Sequence, residues 1–242
     1  MIAQRLAIAC FVPMLGCCLF NAGAGADGEP EFLAGTSRTC PKCSLERTVL
    51  KRRDLSGADL TGANLAGAVL HRARLAHAVL AGADLTDANL NKADLKYASL
   101  ARANLAGVML YEADLGLADL SDAVLSGAKM GKARLPRAVL DRAVLKDAIL
   151  TGARLDDASL RRANLEGADL NNAGLVDAVL ANANLKSANL AEADLLGADL
   201  TGANLEGADL SEARLTRTIL TGAVLDGAKL TGTLMPDGSV HD

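Results

Sequence analysis

Asp54-Leu55-Ser56-Gly57-Ala58-Asp59-Leu60-Thr61-Gly62-Ala63-Asn64-Leu65 sets the pattern for most of the chain. A leucine falls at every fifth position from Leu50 to Leu230, thirty-seven units in one register, with Met130 the single replacement. From Leu60 onward an alanine stands two residues before each leucine, replaced by Val108, Thr218 and, past the last leucine, Thr233. The residue between alanine and leucine is often Asp or Asn.

A period of five excludes the ordinary elements. On an α-helix each step of five rotates by about 140°, so the leucines would share no face. On a continuous strand an odd period sends successive leucines to opposite sides. All of them reach one core only if the backbone turns once per repeat. A quarter turn per repeat closes a square coil in four repeats, which is twenty residues. Leucine and the alanine two before it share strand parity and point inward, while the other three positions point outward. Successive coils then stack at roughly 4.8 Å, bonded backbone to backbone. The product is a quasi-one-dimensional solenoid around a leucine column.

The stretch 54–65 resembles the pentapeptide-repeat family, whose consensus is Ala-(Asp/Asn)-Leu-x-x, and the resemblance covers about three quarters of the chain. It implies an all-β fold, a right-handed quadrilateral parallel β-helix, here of about nine coils. It implies no single activity: members include topoisomerase-binding DNA mimics and many proteins of unknown role.

Residues 1–26 do not follow the repeat. Arg5 supplies a positive start, Leu6 to Phe20 is an apolar run broken by Pro13, and Ala22-Gly23-Ala24-Gly25-Ala26 is rich in small residues. This is the pattern of a cleaved signal peptide, and the run is short for a membrane span. A secreted or periplasmic protein with no transmembrane span in its mature chain is the expectation. Leu15-Gly16-Cys17 resembles the end of a bacterial lipoprotein cleavage box, so a lipid anchor at Cys17 is an alternative, although Met14 and Leu15 fit that box imperfectly.

Residues 27–49 read as an N-terminal cap in which a short helix at Glu31-Phe32-Leu33-Ala34 covers the first coil. Cys40-Pro41-Lys42-Cys43 admits three readings. A disulfide between Cys40 and Cys43 suits an oxidising compartment. A redox motif needs a strand–helix context that the repeats do not offer. A zinc site needs two more ligands, and His71, His77 and His241 are distant. The family resemblance adds that many members carry Cys-Pro-x-Cys before the first repeat, which favours a structural cap. The solenoid is then assigned to 50–233 and a C-terminal cap and tail to 234–242, with Leu234 and Met235 folding over the last coil ahead of the turn signal Met235-Pro236-Asp237-Gly238.

Without residues 1–26 the chain keeps 24 basic and 29 acidic side chains, net −5. Its aromatic residues are then Phe32, Tyr97 and Tyr111, with no Trp. Little is left for base stacking, and no nucleic-acid partner is expected.

With leucine and alanine committed to the core, function must lie on the outward positions. Residues twenty apart should stack, so Asn164, Asn184 and Asn204 form an expected side-chain ladder. From Val124 to Ser159 eight successive repeats lack the Asp or Asn. There Val124, Arg134, Val139, Val144, Ile149 and Arg154, among Lys132, Arg137, Arg142 and Lys146, make a basic and apolar band. It reads either as a partner surface or as drift at solvated strand positions. Residues 166–212 reverse the sign. Glu166, Asp169, Glu192, Asp194, Asp199, Glu206 and Asp209, with Asp177 and Glu212, face only Lys186, an acidic face of net −8. Opposite bands could also support self-association. No carboxylate sits in a recognisable cleft, the histidines are scattered, and no serine lies in a nucleophile elbow, so no catalytic residue, cofactor or metal is expected. The reading is a non-catalytic exported scaffold or protein–protein interaction module whose partner is a protein of unidentified kind. The alternative is a cytoplasmic DNA mimic that binds a topoisomerase, and an enzyme is the remotest class.

Overall fold

The computed structural model describes residues 28–242, so the expected signal peptide lies outside the described residues. Each repeat contributes one residue to a parallel bridge, and its partner is always twenty residues away, from Thr39 with Asp59 to Arg214 with Leu234. One coil therefore consumes four repeats. Every repeat is a brief extended stretch followed by a two-residue turn. Because the turn takes two of the five residues, pairing remains a series of isolated bridges and never lengthens into continuous strands.

The backbone is bonded in both directions. Leu60 N donates to Val79 O of the next coil at 2.7 Å, and Asp59 N donates to Arg38 O of the previous one at 2.9 Å. Ala63 N closes the corner by donating to Leu60 O at 3.0 Å. Inside, every residue in the leucine and alanine columns from Leu55 to Thr218 is at most 5% exposed, with Val108, Met130 and Thr218 fitted in place.

The outward Asp or Asn has a local task. Its carboxylate or amide oxygen accepts the N–H two residues on, as in Thr61 N to Asp59 Oδ1 (3.0 Å) and Ala66 N to Asn64 Oδ1 (3.0 Å). This Asx-turn satisfies a corner donor that the ladder leaves over. The second corner residue sits at positive φ, held by Gly57 and Gly62 but equally by Arg72 and His77. Glycine becomes a matter of room at Gly107 and Gly197, where a Cβ would collide with the carboxylates of Asp87 and Asp177 one coil earlier.

The register starts earlier than the leucine run. Cys40 occupies a leucine place and Cys43 an alanine place, both fully buried, and the two are joined by a disulfide with Cα atoms 5.4 Å apart. The solenoid thus begins near Thr39 and not at residue 50, because small apolar cysteines fill inward positions as well as leucine and alanine do. Over this coil lies α1 (Glu29–Ala34), with Pro30 in its first turn and Gly35 closing it in the left-handed region. Phe32 is 1% exposed. Arg53 stands in an alanine place, but beneath the cap its guanidinium donates to the carbonyls of Phe32 and Leu33, as a cation at a helix C-terminus should.

The register also ends later. Thr233 is buried in an alanine place, Leu234 continues the ladder on Arg214, and Met235 packs against the core in a leucine place. Leu234 and Met235 therefore do not fold over the last coil; they extend it. The buried Thr218 and Thr233 are tolerated because each hydroxyl donates to a carbonyl, Leu195 O and Leu210 O, at 2.7 Å. After a turn at 236–239, Val240 pairs antiparallel with Leu234 and closes one side. On the other sides the N–H groups of Leu220, Leu225 and Leu230 have no backbone partner among the described residues, and these leucines are partly exposed.

Candidate functional site

A quarter turn per repeat scatters whatever is contiguous in sequence. Val124 and Val144 stack on one side, Val139 lies on a second, Ile149 on a third, and Arg134 with Arg154 on the fourth. The six residues of the expected partner surface thus ring the rod, and no flat partner touches them all. The residues of the expected acidic face are spread in the same way. Asp199, Glu206, Asp209 and Asp194 belong to four successive repeats, so their carboxylates form a collar and not a face. Within it Glu166 pairs with Lys146, Glu206 with Lys186, Asp194 with Arg214 and Asp209 with Lys229, each one coil away. Asp169 accepts Thr151 Oγ1 and Asn189 Nδ2, while Glu192 forms no ion pair among the described residues. Nine of the twelve ion pairs among the described residues join residues twenty apart, so opposite charges are matched from coil to coil within the rod. Exposed pairs of this kind contribute little stability each.

The Asn ladder forms in part: Asn184 Nδ2 donates to Asn164 Oδ1 at 3.0 Å, and Asn204 Nδ2 reaches Asn184 Oδ1 only at 3.5 Å. Each of these oxygens also accepts a corner N–H, which links coil stacking to corner geometry.

What the structure does bring together is a corner. Residues 77, 97, 117, 137 and 157 hold the same place in successive coils, and at that corner His77 and Tyr97 stack with ring centroids 4.7 Å apart and planes 2° from parallel. Leu117 follows, 45% exposed beside Tyr97 at 52%. Next to this ridge runs a groove of about 410 Å³, walled by Arg134, Pro136, Arg154 and Asp156 and floored by the buried Gly116. Asp114 binds Lys96 at 3.2 Å and Arg134 at 3.8 Å; Arg154 meets Asp156 at 3.1 Å and Arg137 meets Asp157 at 3.5 Å. Linear reading found Arg134 and Arg154 but missed His77, Tyr97 and Leu117, which only an alignment of every twentieth residue would have joined.

This surface suits contact more than chemistry. An aromatic and aliphatic ridge flanked by paired charges has the composition of a protein interface. Asp122 is held below the usual carboxylate value by its hydrogen bonds from Arg142, and Glu166 by Lys146, the opposite of what a general acid requires. Among the described residues no three His, Cys, Asp or Glu side chains gather as metal ligands, and no helix is long and apolar enough to cross a membrane.

A rod of stacked five-residue repeats, uniform within and varied without, defines the class: a repeat solenoid. The family model described as pentapeptide repeats (8 copies) matches residues 43–82, 54–91, 83–122, 118–157, 138–175, 158–197, 178–217 and 198–235, and the chain belongs to the pentapeptide-repeat family. HetL, a pentapeptide repeat protein involved in heterocyst differentiation regulation from the cyanobacterium Nostoc sp. strain PCC 7120, is 35% identical over 88% of this chain and 97% of its own, with a TM-score of 0.37. A trypsin-treated variant of QnrB1, a plasmid-mediated fluoroquinolone resistance protein, shares the fold with a TM-score of 0.53, at 22% identity over 69% of this chain and 88% of its own. A pentapeptide repeat protein from the Arabidopsis thaliana thylakoid lumen is 27% identical over 48% of this chain and 68% of its own, with a TM-score of 0.27. No curated protein matches the chain.

Proposed function

We propose that this chain is a right-handed, four-sided solenoid of about nine coils that serves, secreted or periplasmic, as a non-catalytic scaffold binding a protein partner. The observation that carries the reading is the Tyr97–Leu117 ridge and its groove. It is the place where large apolar side chains from successive coils lie exposed side by side next to charged groups. Export is supported by the apolar run Leu6–Phe20 and the small residues that follow. The distribution of carboxylates around all sides, with several tied to Lys or Arg, argues against a mimic of DNA phosphates.

Two measurements test it. Mass spectrometry of the native N-terminus should find a start near Asp27, and an intact Met1 in the cytoplasm would sink the exported reading. Cross-linking pull-downs should lose the captured protein on Leu117→Asp with Tyr97→Ala, and keep it on Val139→Asp with Ile149→Asp. Equal capture by both variants would remove the groove from consideration.

A further inference from the structure

The N-terminal end carries a set of cations that the fold does not use. Lys42, Arg47 and Arg52 hold three successive corners of the first coil, and Arg72 stacks above Arg52. All four adopt positive φ, between 53° and 58°, where a side chain is disfavoured and where the next corners are Gly57, Gly62 and Gly67. Lys51 adjoins Arg52. Lys42, Lys51, Arg52 and Arg72 make no side-chain hydrogen bond or ion pair among the described residues, while Arg47 meets only Glu46, at 3.5 Å with 84% of its own side chain exposed. In the middle of the rod Arg134, Arg137, Arg142, Lys146 and Arg154 have carboxylate partners, and Lys129, Lys132, Arg161 and Arg162 have none among the described residues. What sets this end apart is the grouping of unpartnered cations on adjacent corners of one coil. Across residues 38–77 eight Arg and Lys stand against Glu46, Asp54 and Asp59, net +5; Glu29 and Glu31 of α1 lower this to +3.

We propose that this end of the solenoid docks on an anionic phospholipid surface. The cations occupy three adjacent corners of one coil, so they ring the end of the rod, a layout that meets a plane better than a single track of phosphates. Val49, 68% exposed, stands beside Lys51 and offers an apolar contact within the ring. A cluster of exposed cations is drawn to the negative surface potential of such a membrane, each one adding to the attraction. The acidic collar does not cancel the attraction. It begins at Glu166, six coils above Glu46, roughly 29 Å at strand spacing, beyond a Debye length of about 10 Å. The scarcity of aromatic side chains disfavours nucleic acid as the occupant. This inference is independent of the corner groove.

The test is co-sedimentation of the full chain with vesicles of phosphatidylcholine alone or with one third phosphatidylglycerol, at low salt. The expected result is at least about tenfold stronger partition onto the anionic vesicles, abolished by Lys42→Gln, Lys51→Gln, Arg52→Gln and Arg72→Gln together. The matched control is Lys129→Gln, Lys132→Gln, Arg161→Gln and Arg162→Gln, which removes four unpaired cations of the middle band; it should retain the preference. Circular dichroism confirms that both variants fold. Equal partition of the native chain onto both vesicles, or equal loss in both variants, overturns the proposal. So does charge-dependent binding to a duplex DNA without binding to anionic vesicles.

Discussion

The two ends of the solenoid meet the same problem and solve it differently. At the N-terminal end α1 covers the first coil, Phe32 is buried, a disulfide ties two inward positions, and Arg53 fastens the helix carbonyls. At the C-terminal end a single antiparallel pair covers one side, leaving Leu220, Leu225 and Leu230 partly exposed, their own N–H groups without a backbone partner among the described residues. An open edge frays and a capped one does not, because each repeat is stabilised only by its neighbours. The rod should therefore open from its C-terminus.

The largest effect expected from this asymmetry is the cost of truncation at each end. Phe32→Ala deletes a fully buried ring and should lower unfolding free energy by about 3–4 kcal/mol, whereas Leu225→Ala at the open end should cost only about 1 kcal/mol. Denaturant titration measures both. Hydrogen exchange should show the amides of Leu220, Leu225 and Leu230 exchanging well before those of Leu60 and Leu65, which donate to the coil above. Equal costs, or equal protection, would break the comparison.

Next in size is the covalent part of the cap. Replacing Cys40 and Cys43 together by alanine keeps the inward positions apolar and removes the cross-link. For so short a loop the entropic loss is about 2 kcal/mol. A double variant as stable as the native chain would mean that burial alone holds this coil.

How much of this was legible beforehand depended on which direction a residue faces. The inward columns were readable because leucine and alanine repeat without interruption, and one consequence, the stacking of every twentieth residue, followed at once. The ends were misjudged because Cys40, Cys43, Thr233 and Met235 do the work of leucine and alanine without looking like them; only their burial reveals it. The outward surface was legible in one respect: a quarter turn per repeat puts sequence neighbours on different sides, and the bridges agree. Val139, Val144 and Ile149 are close in sequence, yet each quarter turn carries them to a different side. His77, Tyr97 and Leu117 are far apart in sequence and adjacent in space. The preference for Asp or Asn before the leucine was visible as a pattern, but its cause, a turn donor two residues on, needed the backbone.

That Asx-turn supplies the smallest expected effect and a way to sharpen the contrast between ends. Asp199 and Asp209, near the open end, are held below the ordinary value of 3.8 by the side-chain hydroxyls first and the backbone N–H groups second of Thr201 and Ser211. Asp59, beside the cap, is held down by Thr61 in the same order. A carboxylate whose folded pKa is depressed contributes stability that is fully present above its unfolded pKa and is lost as pH falls through the folded value. Stability should therefore be level above about pH 5 and decline below about pH 4. Thr201→Val with Ser211→Ala removes the leading donors, costs on the order of 0.5 kcal/mol per site at neutral pH, and should flatten the acid decline. Because the C-terminal coils lack a cap, protonation there should open them first. Pepsin at pH 3 is the direct probe, since it cuts only what has opened. Early cleavage beyond Leu195 with the 40–80 region intact is the expected outcome, and cleavage beginning near α1 would show that the cap, and not the open edge, is the weaker end.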